Sequence, residues 1–174
     1  MPTALRPCPR GFSLLEWMCS VAVGLCLMHL SVSAWADWQA LQRLHRAAWD
    51  TQQVWRQARD MARRSPHHLR LDLLTSPTSC WVLHTGRRGD CDCSASACAG
   101  GAERWLAVPL HTQGLRLDSH STGWQWDRWQ GTVTPTASVT WSLPDGRAVQ
   151  HSLNLMGRVR SCAPQGLVAG YPAC

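Results

Sequence analysis

Residues 11–26, GFSLLEWMCSVAVGLC, decide how the rest of the chain is read. The run is almost unbroken in its apolar character, yet it holds one carboxylate, Glu16, near its start. The same texture continues to about Trp35, with Glu16 and His29 as the only titratable groups besides the thiols of Cys19 and Cys26. A helix over residues 12–35 would cover roughly 36 Å, enough to cross the hydrocarbon core of a bilayer. An ionised group inside such a span is costly unless something answers it. Two accounts compete. In a cleaved secretory signal, Arg6 and Arg10 form the basic end, and Ala34-Trp35-Ala36 before Asp37 has the small-x-small pattern of a peptidase site. That account leaves Glu16 without a reason. The other makes Glu16 the purpose of the segment.

Beyond Trp35 the pattern does not break as it should after a removed signal. Leu41, Leu44, Ala48, Thr51, Trp55, Ala58 and Ala62 recur at alternating spacings of three and four, with Gln, Arg and Asp on the other faces. No Gly or Pro interrupts this stripe until Ser65-Pro66. One helix from Phe12 to Arg64, roughly 75 Å long, is therefore expected. Residues 12–35 form its membrane-spanning part, and residues 36–65 its amphipathic part, laid on a head domain.

After Pro66 the texture changes to short alternating segments. Leu69, Leu71 and Leu73 alternate with His68, Arg70 and Asp72, and Val139, Trp141 and Leu143 behave alike. Val149, His151, Leu153 and Leu155 continue the alternation after the turn signal Pro144-Asp145-Gly146. Residues 80–85, 104–108, 115–118 and 123–127 are further strand candidates. Some seven short strands without a second long helix predict an α+β fold: a β-rich head over residues 66–174, made of two small antiparallel sheets packed on the long helix. Residues 87–101, rich in Gly, Ser, Ala and Cys, read as an exposed loop.

A chain of 174 residues with 45% hydrophobic residues and 11 Trp holds one domain with a modest core plus an appendage, and is not a disordered tail. The formal net charge is +6, and all 17 basic residues are Arg. Guanidinium forks fit pairs of phosphate or carboxylate oxygens, which suits a polyanionic partner; codon bias in a GC-rich genome would leave the same composition. Cys80, Cys91, Cys93, Cys98, Cys162 and Cys174 all lie beyond the apolar span, an even number that suits disulfides in an oxidising compartment, with fifteen connectivities open. The most local pairing joins Cys162 to Cys174. Cys80 then takes one of the loop cysteines, and the other two pair across Cys93 and Cys98. A zinc site of Cys91, Cys93, Cys98 and either Cys80 or His84 matches no common template.

Arg10-Gly11-Phe12-Ser13-Leu14-Leu15-Glu16 resembles the class III leader junction of type IV pilins and type II secretion pseudopilins, a variant of G-F-T-L-I-E before a long apolar helix. Trp17, Met18 and Cys19 depart from the family's usual aliphatic residues. The resemblance implies that residues 1–11 are a leader, that a prepilin peptidase cuts between Gly11 and Phe12, and that the new amine of Phe12 is methylated. The helix then anchors the subunit in the inner membrane, head in the periplasm, and later joins other pilin subunits in a filament. Glu16 gains a purpose there: it can neutralise the terminal ammonium of a neighbour's Phe12, while a wrong stagger leaves both charges unpaired.

Near the other end, Gly157-Arg158-Val159-Arg160-Ser161-Cys162 sets two arginines at i and i+2 of an extended strand, so both project from one face. The preceding Gly would let a bulky ligand approach closely. Such a pair suits successive phosphates, although exposed arginines also make surface ion pairs of little worth. The stretch is similar to the G-R-x-R motif of FimT-type minor pilins in the wider GspH/FimT family. Trp126-Asp127 and Gly131-Thr132-Val133-Thr134-Pro135 resemble a further segment of that family, and Asp145-Gly146-Arg147 precedes the strand leading into the motif. The resemblance implies sequence-independent DNA binding during natural transformation, with Gly157, Arg158 and Arg160 as the binding residues. A structural priming or tip subunit, or a secretion pseudopilin touching only proteins, is the second reading. Trp124, Trp126 and Trp129 are able to stack bases where exposed, but the spacing of Trp124 and Trp126 favours burial on one strand face. Arg87, Arg88 and Arg147 extend the basic character without a fixed place, and His67-His68 reads as an exposed turn. No nucleophile with a base, phosphate loop or acid pair argues for catalysis, and no cofactor or metal is expected.

Overall fold

The computed structural model describes residues 13–76, 78–94, 98–166 and 168–174. The expected leader, residues 1–11, and Phe12 lie outside them. The chain divides into two compact units, Met1–Gln39 and Ala40–Cys174, and one helix, α1 (Leu14–Arg64), contributes to both.

In the first unit α1 starts after Ser13, whose carbonyl accepts from the amides of Glu16 (3.0 Å) and Trp17 (3.2 Å). Ser13 and Glu16 stand at the spacing of a capping box, and an acid in the first turn complements the helix dipole. Glu16 therefore has a local reason for its position as well as the one argued above. The apolar side chains of this portion are open, Leu14 being 79% and Met18 64% exposed. Length and composition suffice for a membrane span. Ser20 and Ser31 donate their hydroxyls to the carbonyls of Glu16 (2.8 Å) and Leu27 (2.7 Å), which satisfies these groups without water.

In the second unit the stripe on α1 is the spine of the core. Leu44, Ala48, Thr51, Trp55, Ala58 and Ala62 are all at most 1% exposed, and Leu41 packs at the margin. The helix stops where Pro66 can no longer donate an amide; the Ser65 amide makes the last bond, to the Met61 carbonyl (2.9 Å).

Among the described residues nine strands follow: β1 (Leu69–Leu74), β2 (Cys80–His84), β3 (Arg104–Pro109), β4 (Arg116–Ser119), β5 (Gly123–Trp126), β6 (Val133–Thr134), β7 (Ala137–Ser142), β8 (Ala148–Leu153) and β9 (Val159–Cys162). They form two antiparallel sheets, ordered β3-β2-β1-β5-β6 and β4-β7-β8-β9. Inward residues of both sheets, among them Leu69, Leu71, Trp81, Trp124, Trp126, Val139, Trp141 and Val149, join the helical stripe in one cluster. Trp55 sits 6.3 Å from Trp81 and 6.0 Å from Trp124 by ring centroid. Burial of each such side chain is worth about 2–3 kcal/mol. Trp141 Nε1 donates to Thr51 Oγ1 (2.8 Å), which in turn donates to the Ala47 carbonyl (2.9 Å); this gives the buried hydroxyl a role that periodicity does not reveal.

Expectations about both the strand alternation and the cysteine pairing need correction. Asp72 is buried, not solvated, and all five residues of β2 are buried. The cause lies in residues 86–94 and 98–102: most of them are exposed, as expected of a loop, but Cys91 and Ala102 pack down on the outer face of β1 and β2. Cys80, Val82 and Cys91 form a second small core there, flanked by Leu74 and Ala102. The cover is stitched by Cys80–Cys93 and Cys91–Cys98, so the second bridge involves Cys91 and not Cys93, and all four thiols are consumed. Beneath it Asp72 accepts from Arg70 Nε (2.8 Å) and lies 3.2 Å from His84 Nε2. The Gly86 amide donates to His84 Nδ1 (3.1 Å), which puts the ring's remaining proton on Nε2, facing Asp72. Burial raises the Asp72 carboxyl, but the bond from His84 together with the charge and bond of Arg70 outweighs it and holds the group below its ordinary range. Leu155 is the other departure: β8 ends at Leu153, so Leu155 lies in the following turn, 50% exposed.

Candidate nucleic-acid interface

Sheet order makes β9 an edge strand, paired only with β8, with Arg160 opposite Ser152 and Val159 opposite Leu153. The β8–β9 turn is specified locally. Asn154 Oδ1 accepts from the Arg158 amide (2.8 Å), the Asn154 amide donates to the Arg158 carbonyl (3.1 Å), and the Gly157 amide donates to the Asn154 carbonyl (2.9 Å). Gly157 adopts φ of 68°, a region open to glycine at little cost. Its open side faces the Gly131 carbonyl and Arg59, whose atoms would lie 3.3 and 3.4 Å from an added Cβ. The space that Gly157 clears is thus taken up by the chain itself, and its positive φ makes the turn.

From this turn the strand alternates as its spacing requires. Val159 packs on the core, while Arg158 and Arg160 are exposed. Ser161 turns inward, bonded to His151 Nδ1 (2.7 Å) and accepting from Gln52 Nε2 of α1 (3.4 Å). Burial alone pushes His151 down to about 4, so the ring is neutral at ordinary pH. Cys162 is bonded to Cys174, and the Ala163 amide and carbonyl bond the Pro172 carbonyl and the Cys174 amide. Both ends of β9 are therefore tied down, by a turn at one end and a disulfide at the other. Among the described residues neither the Arg158 nor the Arg160 guanidinium has an ion-pair or hydrogen-bond partner.

The other arginines differ. Arg147 pairs with Asp145 (2.6 Å), which also accepts its amide, within the β7–β8 turn. Arg88 bonds Thr122, and Arg87 lines an open cleft of about 720 Å³ with His68, Arg70 and Gly101. Arg87 and Arg88 thus flank the disulfide-stitched cover on the other sheet, and the structure does not bring them to β9. Among the described residues no cluster of His, Cys, Asp or Glu is arranged to hold a metal.

The three tryptophans separate. Trp124 and Trp126 are fully buried, whereas Trp129 is 79% exposed. The departure begins at Asp127, which ends β5 one residue earlier than its alternation suggests. Its Oδ1 accepts from the amides of Trp129 and Gln130, both at 2.9 Å. Those bonds, that of Gln130 foremost, hold its carboxyl below the ordinary range, with His68 adding to the effect. The signal available in the sequence was Asp127 followed by Gly131, a turn frame that takes Trp129 out of the strand's period.

No protein-family model matches this sequence, and no curated protein matches it significantly. In three dimensions the chain is similar to the type IV minor pilin FimU of Pseudomonas aeruginosa strain PAO1, as seen in its crystal structure. The TM-score is 0.53 at 17% identity, over 70% of this chain and 98% of that one. The chain has a pilin-like α+β fold.

Proposed function

We propose that this chain is a type IV minor pilin that binds extracellular DNA without sequence specificity, for uptake in natural transformation. The observation that carries the DNA reading is the pair Arg158 and Arg160: two exposed guanidinium groups, Arg158 in the turn that leads into edge strand β9 and Arg160 within that strand, which is tied at both ends. Phosphate contacts of this kind need no base readout, and preorganisation lowers the cost of ordering each side chain. The likeness to a minor pilin and the long apolar start of α1 support the rest. In this reading the prepilin peptidase cuts after Gly11, Phe12 supplies the new amine, and the helix holds the subunit in the inner membrane before assembly with other pilins. Glu16 then answers a neighbour's amine in the filament. The protein acts by binding, and its activity is not enzymatic.

Titration of labelled DNA with the full chain in detergent, at several salt concentrations, tests this. Replacing both residues, Arg158→Ala with Arg160→Ala, should abolish most of the affinity and reduce the slope of log affinity against log salt by about 2, one for each phosphate contact. Equal binding by parent and variant leaves only the structural reading, a subunit that touches proteins alone.

A further inference from the structure

Trp129 is more exposed than any other indole among the described residues, yet it is held firmly. Besides the two bonds to Asp127 Oδ1, the Gly131 amide donates to the Asp127 carbonyl (3.0 Å) and the Asp127 amide donates to the Thr132 carbonyl (2.8 Å). The Arg128 guanidinium carbon lies 4.3 Å from the ring centroid, and its Nη1 donates to the Pro66 carbonyl (2.7 Å), which fixes the cation against the ring. The loop also abuts the turn that carries Arg158. The Val133 amide donates to the Leu155 carbonyl (2.8 Å), and the Gly131 carbonyl lies against Gly157. Arg63 approaches Gly131 as Arg59 approaches Gly157. An open indole on a firmly held loop thus stands among arginines, and the loop's own carboxylate, Asp127, is spent on its turn.

We infer that Trp129 is a base-stacking platform beside the phosphate-binding arginines, so that this surface takes single-stranded DNA in preference to intact duplex. The inference rests on the DNA reading above and adds the form of the ligand. An indole face is worth most against an unpaired base. Inside a duplex each base face is already covered, and exposing one costs a few kcal/mol. Arg128 and Arg158 hold the backbone on either side of the stacked base.

The test is fluorescence anisotropy with the full chain in detergent, using a labelled oligo-dT and a blunt duplex hairpin of equal charge. Trp129→Ala should weaken oligo-dT binding about five- to a hundred-fold while changing duplex affinity less than twofold. Trp129→Tyr should restore most of the loss, and the salt slope should stay unchanged, since no phosphate contact is removed. Equal loss on both ligands, or on neither, overturns the inference while leaving the arginine reading intact. A parent chain that binds neither ligand overturns both. If Trp129→Ala binds DNA as the parent does but no longer enters fibres, the indole is a contact with a second subunit and the stacking role is wrong.

Discussion

Acid should loosen the head through His151. The ring is buried and lies edge-on to Trp55 at 6.3 Å, with Ser161 on one nitrogen and no charged neighbour contributing to its shift. In the unfolded chain an imidazole titrates near 6.5, whereas here burial depresses it to about 4. Between these values the unfolded state binds more protons, so stability falls as pH falls. The penalty is absent above pH 6.5, reaches about 2 kcal/mol at pH 5, and levels near 3 kcal/mol below pH 4. Asp72 does not enter this window, because its carboxyl is held below 3.8 and its contribution is lost only in stronger acid. Urea unfolding of the full chain in detergent, followed by tryptophan emission at pH 7 and pH 5, measures the loss directly. The variants His151→Phe and His151→Gln supply the reference, each lacking the titrating ring. The parent should lose about 2 kcal/mol more than either variant between the two pH values. Equal losses in parent and variants would show that the imidazole is hydrated in the folded head, and the reasoning from burial would fail. Hydrogen exchange adds a position: amides of β9, seated through Ser161, should lose protection before those of β1.

Three further outcomes follow from the same contacts. Gly157→Ala forces a side chain into positive φ and against the Gly131 carbonyl, and should cost about 1–2 kcal/mol in the same unfolding assay. Cys162→Ala with Cys174→Ala opens a loop closed across a separation of 12 residues, and should lower stability by about 3 kcal/mol on chain entropy. It should also weaken DNA binding in the titration, since one tether of β9 is gone. Glu16→Leu should leave the protein in the membrane fraction yet sharply reduce its recovery in sheared fibres under native expression; undiminished recovery would remove the stagger role of Glu16.

Much of the architecture was legible because it rests on period. Leu44, Ala48, Thr51, Trp55, Ala58 and Ala62 mark one face of a helix whatever they pack on, and Leu69, Leu71 and Leu73 mark one face of a strand. The outer face of that strand was not legible. Whether Asp72 meets water depends on a segment 14 or more residues away folding back, and that depends on a disulfide pattern that spacing leaves open. Strand β6 has two residues, too few for any alternation to register. At the candidate interface the alternation of Arg158, Val159 and Arg160 was readable directly. At Gly157 the sequence showed the room a glycine leaves but not what borders it, because its neighbours, Arg59 and Gly131, are far away in sequence. Trp129 was grouped with two buried tryptophans, since a turn that begins at Asp127 resembles one more strand residue until its carboxylate is seen capping the amides that follow.

The position of Arg158 and Arg160 at a sheet margin has a second consequence. A terminal strand shows unsatisfied amides and carbonyls to any passing polypeptide, which invites uncontrolled β-addition between crowded heads. Strand β9 is only four residues long, begins at a glycine turn and ends at a covalent knot, and it carries Arg160 with Arg158 just before it. Two copies brought side by side along that border would set cation against cation. The same groups that suit a polyanion therefore discourage promiscuous pairing of the heads.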